Sequence, residues 1–195
     1  MPCHWVIRKP RAEEHQQINL FFQTNILGFS AQAAATEEFL QRRAQTLLPL
    51  DTFGRVVPSI WYGAYNQQGN LLGAIHSAIA HPTVVEVAQS PSYGPMHARG
   101  MAKERRVLDA LAVRADWRKR GIGAALIEAS EDALKKQGAL IVYGFKDERN
   151  GKPDFFRSNG YTIMPRNTPL PEIGAFPIRE KITDSLNGHY FYKLI

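Results

Sequence analysis

Cysteine is almost absent from this chain of 195 residues. Its one cysteine, Cys3, lies near the N-terminus, which excludes an internal disulfide framework and a cysteine-based zinc site. Long apolar runs are also missing, since no stretch approaches the roughly 20 residues that cross a bilayer. The opening residues MPCHWVIRKP lack the pattern of a secretory leader, and the sequence therefore predicts a cytoplasmic protein.

Acidic residues are outnumbered by basic ones, 18 against 24, which gives a formal net charge of +6 and a pI near 9.5. Part of this excess lies in one loop, and the remainder is compatible with a nucleic-acid partner without requiring one. The composition, 44% hydrophobic and 22% charged, is ordinary for a globular protein. At this length we expect one domain, residues 1–195, with a core that needs no disulfide or metal.

The most informative stretch is residues 107–137, VLDALAVRADWRKRGIGAALIEASEDALKKQ. An apolar, β-prone run leads into a short basic loop with two glycines, and the loop leads into a helix-patterned segment. Apolar residues recur there every three or four positions and would form one buried stripe: Ile122, Leu126, Ile127, Ala129, Ala133 and Leu134. Gly138 suits the end of this helix, because glycine adopts the left-handed cap conformation easily.

Phosphate binding is predicted from six consecutive residues of the loop: Arg118, Lys119, Arg120, Gly121, Ile122 and Gly123. The two glycines permit backbone conformations closed to other residues and leave no Cβ in the way of a ligand. The three cations and the positive end of the helix dipole add charge that suits a polyanion. A strand, a glycine loop and a helix start together present free N–H groups to phosphate oxygens, so a pyrophosphate or polyphosphate site is expected.

The pattern Arg118-x-x-Gly121-x-Gly123, directly after the apolar residues 111–113, resembles the acetyl-CoA signature Q/R-x-x-G-x-G/A of the GNAT superfamily of N-acetyltransferases. It is neither a Walker loop nor a Rossmann fingerprint, because no Lys-Ser/Thr follows and the third glycine is missing. The alternative is a strand–helix turn that merely carries glycines and surface arginines. The resemblance implies an α/β (α+β) GNAT fold: a mixed, mostly antiparallel sheet of about six or seven strands, with a central parallel pair splayed around the cofactor and about four flanking helices.

The resemblance also implies which residues contact acetyl-CoA, a co-substrate that needs no metal. Backbone groups of Leu111 and Val113 would pair with the amides of the pantetheine arm, in the gap between the splayed strands. Residues 150–161, NGKPDFFRSNGY, resemble the family's second cofactor motif, A-x-x-F-Y-x-x-x-G-F. The implied cofactor contacts are Leu111, Ala112, Val113, Arg118, Lys119, Arg120, Gly121, Ile122, Gly123, Ala124, Asn150 and Phe156.

Acetyl transfer to an amine requires a proton acceptor, because only the neutral amine attacks the thioester. Asp109 is the only ionisable side chain in the strand-like run VLDALAV, and a partly buried carboxylate is a stronger base than an exposed one. Asp109 is therefore the predicted catalytic base; alternatively it binds a cationic acceptor or pairs with an Arg or Lys. His76 and His81 are expected to be core or edge histidines, because nothing near them in sequence pairs with them.

The expected acid is missing, because Phe156 stands where many members of the family have a tyrosine near the sulfur. Tyr161, Ser158 and Tyr192 are alternative donors, although Tyr161 matches an apolar position of the family and is expected in the core. Otherwise water or the product ammonium protonates the thiolate, or the protein binds the cofactor without efficient transfer.

Elsewhere, β-prone apolar runs predict strands at residues 4–8, 59–65, 71–80, 140–145, 161–164 and 189–194, and helical spacing predicts helices at residues 12–22 and 31–48. The resemblance to the second cofactor motif implies a further short helix at about residues 153–159. Residues 82–106 contain several prolines and glycines, end in the basic patch 103–106, and are predicted to be irregular. They would form a mobile surface loop, a lid over the acceptor site or a contact for an anionic partner.

The resemblance implies an N-acetyltransferase that acts on a primary amine of a small molecule, amino acid or peptide. One alternative is a family toxin that acetylates aminoacyl-tRNA. The pI, Arg42, Arg43 and the patch 103–106 permit this function, whereas the missing tyrosine disfavours it. The other alternative is a CoA-responsive binding or regulatory module. A nucleic-acid partner is therefore allowed but not favoured, no membrane partner is expected, and a homodimer is compatible with the family. The first two helices and residues 166–187 are expected near the acceptor.

Overall fold

The structure, a computed structural model, describes residues 4–26, 59–147, 154–166, 168–171 and 188–195. Within this part, seven strands form one sheet in the order β1-β2-β3-β4-β5-β7-β6. The strands are β1 Trp5–Arg8, β2 Ile60–Asn66, β3 Leu71–Ala78, β4 Arg105–Val113, β5 Ile141–Asp147, β6 Thr162–Ile163 and β7 Gly188–Leu194. Only β4 and β5 pair in parallel, whereas the other neighbours are antiparallel. The predicted mixed sheet with a central parallel pair is confirmed.

Five α-helices lie in the described part of the chain: α1 His15–Asn25, α2 His81–Gln89, α3 Gly94–Glu104, α4 Ile122–Lys136 and α5 Asp154–Ser158. Every element predicted within the described residues is present, with ends that shift by about three residues or fewer. The predicted helix at 31–48, with Arg42 and Arg43, lies outside the described residues, as do Asn150 and most of residues 166–187.

The prediction of an irregular segment at residues 82–106 was wrong. Its residues form α2 and α3, which share a small core of their own: Ile79, Val84, Val85, Val87, Ala88, Ala98, Met101 and Ala102. Pro82 and Pro95 lie in the first turns of these helices, where a missing N–H costs no hydrogen bond. Residues that suggested a loop therefore mark the starts of two helices.

The basic patch 103–106 is not a surface patch. Arg105 and Arg106 begin β4 and are buried, Arg106 completely. Arg106 donates from Nη1 to Oε1 of Gln137 at 2.8 Å, and burial lowers the pKa of its guanidinium to about 10. Two of the three cations that permitted a nucleic-acid surface here are therefore inside the protein.

The sheet carries α4 on one face and α1 on the other. The α4 face contains the main core, including Leu72, Ile75, Leu108, Leu126, Val142 and Phe191. The α1 face contains a smaller cluster with Ile18, Phe22, Ala74, Ala110 and Ala112. Since the side chains of successive strand residues point to opposite faces of the sheet, β4 contributes side chains to both cores.

Two irregularities of β4 position the candidate site. First, β4 and β5 pair only from Arg105 and Ile141 to Val107 and Tyr143, although both strands continue beyond these residues. The two strands therefore separate, as predicted. Second, the register between β3 and β4 shifts after His76, which leaves Asp109 as the extra residue of a β-bulge.

Candidate active site

A cavity of about 600 Å³ opens where β4 and β5 separate. Ten of the twelve predicted cofactor contacts line it: Leu111, Ala112, Val113, Arg118, Lys119, Gly121, Ile122, Gly123, Ala124 and Phe156. Of the other two, Asn150 lies outside the described residues and Arg120 stacks over the ring of Trp117, at 4.8 Å. Residues far apart in sequence thus meet around one space.

The loop before α4 has an unusual backbone. Lys119 has φ +60° and Gly121 has φ +80°, so two residues of the loop are left-handed. A Cβ added at Gly121 would meet nothing within 4 Å, so glycine is needed there for conformation rather than for space. Gly121 is the N-cap of α4 and no side chain caps the helix, so the first N–H groups of α4 are left for a ligand in the cavity.

Gly123 has a different role from Gly121. A Cβ on Gly123 would lie 3.0 Å from Cζ of Phe155, a contact so tight that the phenyl ring would have to move by a few tenths of an ångström. Phe155 belongs to α5, and its neighbour Phe156 also lines the cavity. Gly123 therefore lets α5 approach α4 and close one wall of the cavity, a contact that its place in the motif did not indicate.

The backbone of β4 presents its free edge to the cavity. The Arg114 N–H donates to the Leu72 carbonyl on β3, at 2.9 Å. Along an antiparallel strand, the backbone N–H and C=O groups of successive residues point alternately to one neighbouring strand and to the other. The backbone groups of Leu111 and Val113 therefore point away from β3, towards the opening. The Val113 carbonyl accepts a bond from Nε of Arg118 at 3.0 Å, which agrees with this orientation.

Asp109 is bonded to a histidine. Oδ2 of Asp109 lies 2.9 Å from Nδ1 of His76, with 37% of the Asp109 side chain exposed and 9% of the His76 side chain. The His76 ring stacks on Trp61, at 3.8 Å between centroids, and Trp61 in turn stacks on His15, at 5.2 Å. His76 is buried as predicted, but its partner is 33 residues away on the next strand and escaped sequence reasoning.

Phe156 and the three alternative proton donors lie in different environments. Phe156 stacks on Phe191, with centroids 3.9 Å apart, and lines the cavity. Ser158 also lines it, while its hydroxyl donates to the Phe155 carbonyl at 2.8 Å. Tyr192 is half-buried on β7 and is not among the described residues that line the cavity.

Tyr161 is a core residue, as predicted. Its hydroxyl donates to Oε1 of Glu131 at 2.8 Å, and Nζ of Lys193 donates to Oε2 of the same carboxylate at 2.7 Å. Burial, and then the charge of Glu131, raise the pKa of the Tyr161 hydroxyl well above its usual value. The hydroxyl is therefore engaged in a hydrogen bond to a residue of α4, and Tyr161 is not among the described residues that line the cavity.

Five further residues line the cavity without having been singled out by sequence: Asn25, Ile26, Trp117, Lys146 and Asn159. Lys146 is buried near the end of β5, Asn25 is the last residue of α1, and Ile26 is its C-cap. The only signal for Lys146 was a cation that ends the apolar run LIVYGF. The contacts at Ile26 and Ala112, on the α1 side of the sheet, show that the cavity reaches past the plane of the sheet.

The described residues contain no cluster of three or more His, Cys, Asp or Glu side chains arranged for a metal ion. No helix among them combines the length and the apolar character needed to cross a membrane.

Comparison with known families finds one match. The model of the acetyltransferase (GNAT) domain matches residues 61–163, just over half of the chain. This range contains the bulge, the separating strands and the glycine loop. No match was found among curated protein sequences.

Solved structures share the architecture over nearly the whole chain. Ard1 from Thermoplasma volcanium has a TM-score of 0.59 at 16% identity, over 98% of this chain and 97% of that one. Naa50 from Arabidopsis thaliana, in complex with the bisubstrate analogue CoA-Ac-MVNAL, has a TM-score of 0.55 at 15% identity, over 98% and 99%. Polyamine N-acetyltransferase from Drosophila melanogaster, which forms N-acetylagmatine, has a TM-score of 0.55 at 15% identity, over 98% and 100%. At these identities the likeness establishes the fold alone.

Proposed function

The chain belongs to the GNAT acetyltransferase family, and on this premise we propose that it transfers the acetyl group of acetyl-CoA to a primary amine of a small molecule, amino acid or peptide. The observation that carries the proposal is the single cavity shared by the separating strands, the glycine loop and the start of α4. Its volume of about 600 Å³ lies within the range of small-molecule sites.

The residues present fit acetyl-CoA, which supplies an acetyl group activated as a thioester. The left-handed loop, the N–H groups at the start of α4 and the side chains of Arg118 and Lys119 are complementary to a pyrophosphate. The outward-facing backbone of Leu111 and Val113 is suited to the amides of an extended arm. Phe155 and Phe156 supply an apolar wall on the opposite side.

Asp109 stays the proposed ionisable group of the acceptor end. It lies on β4 two residues before Leu111, and its side chain is partly open to solvent. A carboxylate there attracts the ammonium of an acceptor and helps to remove its proton, directly or through the imidazole bonded to it. Two of the similar structures support this acceptor class: a polyamine acetyltransferase that forms N-acetylagmatine, and an enzyme in complex with the bisubstrate analogue CoA-Ac-MVNAL.

One observation favours an alternative, a module that binds CoA without efficient turnover. Phe156 carries no proton to donate, and the Tyr161 hydroxyl is engaged with Glu131. The burial of Arg105 and Arg106, in contrast, weakens the support for an aminoacyl-tRNA substrate. A cytoplasmic location and a homodimer stay predictions.

The proposal is tested by separating turnover from cofactor binding in one variant. Asp109→Asn is expected to lower acetyl transfer by about 100-fold or more while acetyl-CoA affinity, measured by calorimetry, stays within about twofold. Unchanged turnover would remove Asp109 from the reaction. Binding of acetyl-CoA by the wild type with no acetylated amine would favour the alternative module.

A further inference from the structure

We infer that the proton acceptor of this reaction is Nε2 of His76, and that Asp109 is the residue that positions it. The inference rests on the proposed acetyl transfer and gives it a base that differs from the one indicated by the sequence. It is carried by three features of the His76 ring: its bond to Asp109, the open side of Nε2, and the stack on Trp61.

The bond to Asp109 sets the tautomer of His76. Nδ1 lies 2.9 Å from Oδ2, and an ionised carboxylate only accepts hydrogen bonds. A neutral imidazole in this position therefore carries its hydrogen on Nδ1 and keeps a lone pair on Nε2. This is the division of roles found wherever an aspartate orients a histidine base.

Nε2 of His76 is not fully sealed from solvent. It has no hydrogen-bond partner among the described residues, where Nδ1 makes the only hydrogen bond of the ring. The one buried side-chain polar atom without a partner in this part of the chain is the Tyr65 hydroxyl, so Nε2 is not sealed. The small exposed fraction of the side chain, 9%, thus includes the atom that the reaction would use.

Two neighbours hold the ring in place. Trp61, directly opposite His76 on β2, covers one face with an interplanar angle of 23°. The bulge at Asp109 interrupts the register of β3 and β4 at His76, and it turns the carboxylate towards the imidazole. A rotation that exchanged the two ring nitrogens would break both the hydrogen bond and the stack.

Neither His76 nor Asp109 lines the cavity, but both are close along the sheet to residues that do. Asp109 precedes Leu111 by two residues, which corresponds to about 7 Å along a strand. His76 pairs with Ala110, and Ala110 shares the α1 face with Ala112, which lines the cavity. An acceptor that enters from the α1 side therefore meets Nε2 close to the point where the two parallel strands part.

In the proposed reaction, the acceptor ammonium gives one proton to Nε2. The freed lone pair on nitrogen then attacks the thioester carbon and forms the C–N bond. The C–S bond breaks with its electron pair on sulfur. A second proton leaves the nitrogen and ends on the sulfur, and the imidazolium returns its proton to solvent. Asp109 stays ionised throughout and stabilises the imidazolium.

A direct test needs no acceptor. Long-range ¹H–¹⁵N spectra of the histidine side chains report which ring nitrogen is protonated, and His76→Asn identifies the His76 signals among the six histidines. We expect the neutral form to carry hydrogen on Nδ1. A neutral His76 protonated on Nε2 would overturn the inference, whatever the activity of the protein.

A kinetic test separates a catalytic from a structural role. His76→Asn retains an amide donor that can bond Asp109 but has no atom at the Nε2 position. With agmatine and a short peptide with a free N-terminus as probes, we expect kcat to fall about 100-fold or more with unchanged acetyl-CoA affinity. We also expect the pH dependence of kcat to change in this variant, because an asparagine has no titrating group at the Nε2 position. Among the described residues, the titratable groups in contact with the ring or with its stack are Asp109 on β4 and, beyond Trp61, the exposed His15 on α1.

His97→Gln is the matched control, because it removes an exposed histidine of α3 and is expected to leave kcat and its pH dependence unchanged. Turnover by His76→Asn within about twofold of the wild type would overturn the inference and return the role of base to Asp109. A wild type that binds acetyl-CoA but acetylates neither probe would count against the proposed function instead, and the ring tautomer would then decide the inference alone.

Discussion

Arg118 donates a hydrogen bond from Nε to the carbonyl oxygen of Val113, at 3.0 Å. The bond joins the first residue of the glycine loop to the last residue of β4. The bond fixes the position of the glycine loop, the proposed pyrophosphate site, relative to the free edge of β4, the proposed site of the pantetheine arm. The motif arginine therefore has a geometric role as well as a charge.

Removal of this arginine tests that double role. We expect Arg118→Met to weaken acetyl-CoA binding by about tenfold or more, because the loop loses both a cation and its anchor on β4. Arg11→Met removes the same charge from an exposed site near the N-terminus and serves as the control. Calorimetry measures both affinities, and equal affinities would contradict the assignment of the loop to the cofactor.

The left-handed glycine of the loop has a matched partner in the β2–β3 turn. Gly121 and Gly69 share φ +80°, and an added Cβ would meet nothing within 4 Å at either position. We expect Gly121→Ala and Gly69→Ala to lower the free energy of unfolding by a similar amount, about 1 kcal/mol, through backbone strain. Only Gly121→Ala should weaken acetyl-CoA binding. A similar effect of both variants on binding would show that the ligand does not approach Gly121.

Phe156 offers a test of the missing acid. We expect Phe156→Tyr to raise turnover, because it places a hydroxyl on the wall of the cavity where the chain has no phenolic donor among the described residues. Phe21→Tyr adds the same hydroxyl to a half-buried ring of α1 that is not among the described residues lining the cavity, and it is expected to give no gain. Rates would be compared with the best acceptor at saturating acetyl-CoA. If Phe156→Tyr left the rate unchanged, protonation of the leaving thiolate would not be limiting.

The Tyr161–Glu131 bond gives a prediction on stability. The pKa of Tyr161 is raised in the folded state, so its contribution is complete below the pKa of an unfolded tyrosine, about 10, and is lost as pH rises above it. We expect Tyr161→Phe to lower the free energy of unfolding by about 1 kcal/mol at neutral pH, where a hydrogen bond is removed. The variant should also show a shallower loss of stability above pH 10.

Denaturant unfolding at several pH values checks this expectation. Tyr93→Phe, which alters a partly exposed tyrosine before α3, is the control and should change neither quantity. Equal alkaline slopes for the wild type and Tyr161→Phe would contradict the account of this bond.

The cavity was predictable from sequence where its signal is local. The strand, the loop and α4 are consecutive, and nine of the predicted cofactor contacts, which the resemblance of this stretch to the acetyl-CoA signature implied, line one cavity. Helices α2 and α3 were missed because Pro82, Gly94 and Pro95 also occur at helix starts, and local composition does not separate a start from a break.

The pairing of His76 with Asp109 depends on information that no local pattern contains. It requires the antiparallel register of β3 and β4 and a bulge of one residue, and a shift by one residue would turn either side chain to the other face. The burial of Arg105 and Arg106 escaped for a related reason. The charges of these two residues predicted a position on the surface, whereas β4 begins at Arg105 and both side chains are buried.

The central claim is acetyl transfer at this cavity, and thiol release from acetyl-CoA tests it most directly. The assay would compare polyamines, amino acids, aminoglycosides, peptides with free N-termini and charged tRNA, with mass spectrometry of each product. We expect release that depends on a primary amine, yields the N-acetylated acceptor and is reduced in Arg118→Met. Tight binding of acetyl-CoA without release across the whole panel would contradict the claim.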